Sequence, residues 1–171
     1  MLRWVGCDHA ALLDGGLKAW IDEESAISTE PASRPARRLT PSPRPELIAD
    51  RDEVLAAIDD SHVWLIDTLP EAYYRGETTL YHRPGHIPGA SNICSLDLLD
   101  ESGHFRPQNE LADMHQGDTD DRTITYCGGG IMASANAFIM SRLGYNNVAV
   151  YTASLQEWAT DPSNPMVVYT E

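Results

Sequence analysis

Residues 123–134 read TITYCGGGIMAS, and this stretch decides the fold of the chain. A short β-branched run ends at Cys127, three glycines follow, and a helix-forming run extends from Ala133 to Leu143. This order predicts a buried strand, a tight loop and a helix, with Cys127 at the carboxyl end of the strand.

The loop after Cys127 has the composition of an anion-binding site. Glycines carry no Cβ, so successive backbone N–H groups can point into one concave cradle. The following helix adds the free amides of its first turn and the positive end of its dipole. A thiol held there is predicted to ionise to a thiolate at neutral pH and to act as a nucleophile on anions. The alternative on these residues alone is a buried structural cysteine beside a flexible loop.

Composition and charge restrict the possible partners. The chain has 171 residues, of which 42% are hydrophobic, so it can bury the core of an ordinary domain. Its formal net charge is −14, which argues against a nucleic-acid partner because such proteins present a basic surface. No apolar run is long enough to span a bilayer, so no membrane partner is expected.

The cysteines favour a free thiol over a disulfide or a metal site. Cys7, Cys94 and Cys127 are odd in number and widely spaced, and the sequence has no CxxC pair. Cys94 lies in an apolar run and is predicted to belong to the core. Because a working free thiol fits a reducing compartment, a cytoplasmic location is expected.

The chain divides into three parts. Within residues 1–26 the pattern predicts a short buried strand over 10–14 and the start of a helix over 17–21. These two elements are too small to form a core alone. Residues 27–46 hold five prolines and four arginines, a composition typical of an extended linker. A compact domain is predicted over residues 47–171.

The compact domain alternates strands with helices, and Asp50 is predicted to cap the first helix. Strands are predicted over 63–67, 91–94, 122–126 and 147–151, and helices over 51–58, 70–74, 109–115, 133–143 and 155–159. This alternation predicts a parallel α/β sheet covered on both faces. Ligands of such sheets bind beyond the carboxyl ends of the strands, where both Cys127 and Asp67 fall.

Four stretches of this domain resemble the rhodanese (thiosulfate sulfurtransferase) family. They are residues 66–73 (IDTLPEAY), 85–92 (GHIPGASN), 126–131 (YCGGGI) and 148–158 (VAVYTASLQEW). The resemblance implies a rhodanese-like open sheet of about five mainly parallel strands with helices on both faces.

A fifth stretch, residues 13–20 (LDGGLKAW), resembles the C-terminal signature of the same family a second time. The family includes tandem enzymes whose second domain carries the cysteine. The resemblance therefore implies that residues 1–26 are the remnant of a first domain, 27–46 a linker and 47–171 the catalytic domain. Without the first domain an apolar patch would be exposed, and a homodimer could cover it.

The resemblance also implies a reaction and its residues. Cys127 would take sulfur from a small anionic donor as a persulfide and pass it to cyanide or another thiophilic acceptor, with no cofactor and no metal. The donor would be thiosulfate or a similar compound, with 3-mercaptopyruvate as a second candidate. Anion binding is assigned to the loop residues Gly128, Gly129, Gly130, Ile131 and Met132. Asp67, Arg75 and Arg83 are added to the candidate site because they lie nearby, and the alternative for the two arginines is that they are solvated loop residues.

The sequence departs from the family at the positions that determine which sulfur donor is used. Mercaptopyruvate-specific relatives carry a serine at the third loop position, which is Gly129 here, and thiosulfate-specific relatives often carry basic residues in the loop, which has none here. Tyr73 stands in place of the family's substrate arginine. The competing hypothesis is a truncated, weakly active or non-catalytic domain that carries sulfur or docks a protein.

Two other kinds of site fit poorly. A phosphatase of the related cysteine-loop type needs an arginine six residues after the cysteine, and Ala133 stands there. The histidines lack the spacing of metal ligands, and His86 is predicted to form a structural hydrogen bond at the entry to a strand.

Overall fold

A computed structural model describes residues 1–169 of the chain. Within these residues the sheet has five strands: β1 (Ile48–Ala49), β2 (Val63–Asp67), β3 (Ser91–Asn92), β4 (Arg122–Tyr126) and β5 (Val148–Tyr151). They lie in the order β1-β5-β4-β2-β3, and all neighbours pair in parallel. The predicted α/β class with a parallel sheet is confirmed.

Each pair of successive strands is connected by one helix, and two further helices lie before the first strand and after the last. The helices are α1 (Gly16–Asp22), α2 (Arg51–Ala57), α3 (Glu71–Tyr74), α4 (Gln108–Met114), α5 (Ile131–Arg142) and α6 (Ser154–Trp158), with a 3-10 turn at Pro45–Leu47. The carboxylate of Asp50 caps α2 as predicted, since Oδ1 accepts a 2.9 Å hydrogen bond from the N–H of Glu53. No helix of the described residues is long and apolar enough to cross a membrane.

The core lies on both faces of the sheet. Successive side chains of a strand point to opposite faces, and Leu65 and Ile66 of β2 accordingly belong to different apolar clusters. Leu65 packs in a cluster that includes Val54 of α2 and Trp158 of α6. Ile66 packs in the other cluster with residues of α4 and α5. The helices therefore cover both faces, as predicted.

The strand register aligns the two predicted site residues. Asp67 pairs with Tyr126, so β2 and β4 end at the same level of the sheet. Cys127 follows Tyr126 directly and lies just beyond that edge. The edge is the one where parallel sheets place their ligands.

The N-terminal segment differs from the prediction in one respect. Residues 10–14 form no strand, because their backbone pairs with none of the five strands, and Leu12 and Leu13 are exposed. The predicted helix is present as α1. The segment docks on the domain, since the Asp14 carboxylate accepts a 2.9 Å hydrogen bond from the N–H of Phe105. Residues 23–44 form no helix or strand.

Candidate functional site

The loop between β4 and α5 holds Cys127 at the amino end of a helix. Gly130 adopts a left-handed conformation with φ of 80°, and a Cβ there would meet the carbonyl oxygen of Thr152 at 2.7 Å. Glycine is therefore required to turn the chain into α5. The turn brings the N–H of Gly130 to 3.1 Å from the Sγ of Cys127. The thiol is buried, with only 2% of the residue exposed.

Free backbone amides surround this turn. Within residues 1–169 the following N–H groups donate no hydrogen bond: Gly128, Gly129, Ile131, Met132 and Ala133. Orphan amides at a helix start, together with the helix dipole, favour a negatively charged group. Since this loop contains no basic side chain, the attraction comes from the backbone. The structure thus brings together Cys127 and the loop residues that the sequence assigned to anion binding.

The start of α6 supports the loop from behind. The Oγ of Ser154 accepts a 3.1 Å hydrogen bond from the N–H of Cys127 and donates one of 2.7 Å to the carbonyl of Tyr151. The amides of Leu155 and Gln156 donate to the carbonyls of Cys127 and Gly128 at 3.1 and 2.8 Å. Sequence reasoning singled out this stretch as a signature but did not assign its contacts with the cysteine loop.

Asp67 is a buried carboxyl group at the end of β2. Its Oδ1 accepts a 2.9 Å hydrogen bond from the N–H of Leu69, and Oδ2 has no hydrogen-bond partner within residues 1–169. Burial raises the pKa of Asp67 to about 7, a shift that the Leu69 amide and the nearby Tyr126 hydroxyl only partly oppose. Asp67 therefore fixes the loop that follows its own strand.

The two arginines assigned to anion binding hold other groups. Arg75 forms ion pairs with Glu71 and Glu77 at 3.7 and 2.8 Å. The guanidinium of Arg83 donates to four carbonyls around the end of α6, those of Trp158, Ala159, Asp161 and Asn164. A guanidinium has five N–H groups, so at most one remains for an anion.

Two further side chains lie near this edge, and only the first of them was singled out from the sequence. His86 is buried, with Nδ1 2.7 Å from the carbonyl oxygen of Tyr74 and its ring stacked on that tyrosine, which is the structural role predicted. Tyr81 was not assigned to the site, yet its hydroxyl lies against Gly128. The sequence carries no signal for that contact, because the two residues belong to distant segments.

Comparison with known proteins identifies the type of domain. The family model of the rhodanese-like domain matches residues 50–161. A "Probable 3-mercaptopyruvate sulfurtransferase" of Pseudomonas aeruginosa is 31% identical over 172 residues, covering 97% of this chain and 61% of the relative. The thiosulfate sulfurtransferase of Azotobacter vinelandii is 30% identical over 169 residues, covering 97% of this chain and 62% of the relative. The chain thus spans about three fifths of the length of these curated relatives.

Solved structures share the fold. An anaerobic ergothioneine biosynthesis enzyme from Chlorobium limicola, in complex with trimethyl histidine, superposes with a TM-score of 0.89 at 25% identity. A variant of the enzyme EanB, holding ergothioneine covalently linked with a cysteine persulfide, gives the same TM-score and identity. The second match covers 99% of this chain and 44% of that protein.

Proposed function

The chain belongs to the rhodanese-like domain family, and we propose that it is a sulfurtransferase that carries a sulfane sulfur atom on Cys127. The observation that carries this proposal is the position of the thiol at the amino end of α5, where Sγ accepts the N–H of Gly130 at 3.1 Å. Backbone donors in a water-poor site stabilise the negative charge of a thiolate or a persulfide. The names of the curated relatives support sulfur transfer.

The reaction has two displacement steps. The Cys127 thiolate attacks the outer sulfur of thiosulfate, a new S–S bond forms on the cysteine, and sulfite leaves with the electron pair of the broken S–S bond. A thiophile such as cyanide then attacks the terminal sulfur of the persulfide. The S–S bond on Cys127 breaks, thiocyanate is released and the thiolate is restored. Each step is balanced without an added oxidant, reductant or cofactor.

The candidate donors are thiosulfate and 3-mercaptopyruvate. The relatives are named for one or the other, and the loop of this chain has neither a basic residue nor a serine to favour one of them. A persulfide in the variant enzyme of similar fold supports this intermediate in such a domain.

Intact mass spectrometry tests the proposal. The purified chain is treated briefly with thiosulfate or 3-mercaptopyruvate and weighed, then treated with cyanide and weighed again. We expect a gain of about 32 Da, one sulfur atom on the nucleophile, that cyanide removes as thiocyanate.

Matched cysteine variants locate the sulfur. Cys127→Ser should gain no mass, whereas Cys94→Ser should gain it normally, because the buried Cys94 thiol interacts with the amides of Leu96 and Asp97 and not with those of the cysteine loop. A wild-type chain that takes up no sulfur from either donor, or a Cys127→Ser chain that does, would overturn the proposal. The first of these outcomes would favour a non-catalytic domain.

We also propose that residues 1–26 are the tail of a preceding domain of the same kind. The support is that the relatives match 97% of this chain, N-terminal residues included, while being considerably longer than it. Limited proteolysis tests this organisation, with cleavage within residues 27–46 expected to leave a folded fragment that begins near residue 47. Loss of the fold on cleavage would show that residues 1–26 belong to the catalytic domain.

A further inference from the structure

Tyr81 lies directly against the residue that follows the nucleophile. Its phenolic oxygen is 1.5 Å, and its Cζ 2.3 Å, from the point that a Cβ on Gly128 would occupy. The tyrosine thus fills the space in which any other residue at position 128 would place its side chain. The phenol reaches the cysteine loop only because position 128 is a glycine.

The segment around Tyr81 is held firmly in place. The Oγ1 of Thr79 accepts a 3.0 Å hydrogen bond from the N–H of Tyr81 and donates one of 3.1 Å to its carbonyl. Two residues further on, Arg83 is tied to the carbonyls around the end of α6. The ring itself packs on the apolar cluster that contains Cys127. Tyr81 is therefore a fixed wall of the site.

The hydroxyl of Tyr81 is a free donor beside a centre of negative charge. Within residues 1–169 its oxygen forms no hydrogen bond, although the residue is half-buried. Burial raises the pKa of Tyr81, and the negative charges of Cys127 and Asp67 raise it further. The phenol therefore keeps its proton at neutral pH, and its hydroxyl can donate a hydrogen bond to a group that binds at the loop in place of solvent.

We propose that the Tyr81 hydroxyl donates a hydrogen bond to the sulfur atom transferred through Cys127. This inference rests on the proposed function. In a site whose other donors are backbone amides, the phenol is the side chain placed to stabilise the charge on the terminal sulfur. It would act both on the outer sulfur of the bound donor and on the persulfide, without forming a covalent bond.

Tyr81→Phe tests the proposal because it removes the hydroxyl and keeps the ring. The rates of persulfide formation with thiosulfate and of its discharge by cyanide are followed by quenched-flow mass spectrometry. We expect the rates to fall about 100-fold, the lower end of the loss when one donor to a developing charge is removed, with an unchanged melting temperature. Tyr145→Phe is the control: its hydroxyl donates to the carbonyls of His115 and Gly117, so it should lose stability and keep both rates.

The outcomes separate the two proposals. If Tyr81→Phe and the wild type form and discharge the persulfide at equal rates, Tyr81 only packs against the loop and this inference is wrong, while the sulfurtransferase function stands. If the wild type forms no persulfide with either donor, both proposals fail.

Discussion

The hydroxyl of Ser154 accepts a 3.1 Å hydrogen bond from the backbone N–H of Cys127. Ser154 has a φ of 53°, a left-handed conformation that costs a residue with a side chain roughly 1–2 kcal/mol. A glycine would avoid this cost but has no hydroxyl. The strain at Ser154 is thus offset by a contact that fixes the backbone of Cys127, the proposed nucleophile.

Ser154→Ala should lower both stability and activity. Removal of the hydroxyl leaves the N–H of Cys127 and the carbonyl of Tyr151 without their partner, which should reduce the free energy of unfolding by about 1–3 kcal/mol. Persulfide formation should also slow, because the backbone of Cys127 is less well held. Urea unfolding and mass spectrometry measure the two effects.

A matched glycine variant separates strain from hydrogen bonding. Ser154→Gly relieves the left-handed φ, so it should lose less stability than Ser154→Ala while slowing persulfide formation equally. Ser163→Ala, which removes an exposed hydroxyl from Asp161, should change neither. A normal rate in Ser154→Ala would show that the contact does not position Cys127.

Gly128 and Gly129 should respond differently to the same substitution. A Cβ at Gly128 would lie 1.5 Å from the Tyr81 hydroxyl, whereas one at Gly129 would meet only the end of the Gln156 side chain at 3.2 Å. Gly128→Ala should therefore cost about 1–3 kcal/mol, typical of overpacking, and Gly129→Ala much less. Melting temperatures measure this difference, and equal melting temperatures would contradict the tight contact between Tyr81 and the loop.

A second substitution checks the cause. Tyr81→Ala clears the space beside Gly128, so Gly128→Ala should cost little when it is added to that variant. Non-additive stabilities of this kind are expected for residues in contact.

The strands that carry the site could be predicted because their residues are apolar and β-branched. β2 and β4 have the predicted bounds, 63–67 and 122–126. α5 begins at Ile131, two residues before the predicted start, because Gly130 completes the turn by itself. β1 has only two residues and could not be predicted from a pattern. The run at 10–14 has the composition of a strand but pairs with none of the five strands, and its composition alone does not show this.

The part of the site that is formed by neighbouring residues in the sequence could be predicted. Cys127 and the loop amides follow one another in sequence, so their chemistry can be read from composition. The sequence reveals the charge of Arg83 but not the carbonyls that its guanidinium binds. Nothing in the sequence indicates that Tyr81 contacts Gly128. Such contacts depend on how distant segments pack, which a single sequence does not state.

Arg83 should matter more for stability than for donor binding. Its guanidinium satisfies four carbonyls around the end of α6, so Arg83→Met should lower the free energy of unfolding by about 2–4 kcal/mol, given that hydrogen bonds from charged groups are the stronger ones. Arg75→Met is the matched control and should cost less than about 1 kcal/mol, because Arg75 forms partly exposed ion pairs.

Kinetics with thiosulfate then decide the role of the two arginines. We expect neither variant to change the donor concentration that gives half the maximal rate. If Arg83→Met raises that concentration without changing stability, Arg83 binds the donor, and its proposed structural role is wrong.

Asp67→Asn should change how stability depends on pH. The pKa of Asp67 is raised to about 7 in the folded chain from an ordinary value of 3.8, so between these values the folded state binds more protons than the unfolded state. By linkage, this group makes stability fall as the pH rises from about 4 to 7. Asparagine keeps an Oδ1 to accept from the N–H of Leu69 and never becomes charged, so the variant should lack this decline.

Urea unfolding at pH 5 and pH 8 measures the difference. At pH 8 the variant should be more stable than the wild type by up to a few kcal/mol, since one pKa unit corresponds to about 1.4 kcal/mol, and at pH 5 the two should be closer. Other titrating groups, such as His86, are common to both chains and cancel in the comparison. Equal stabilities at both pH values would mean that the buried carboxylate finds a compensating partner when it ionises.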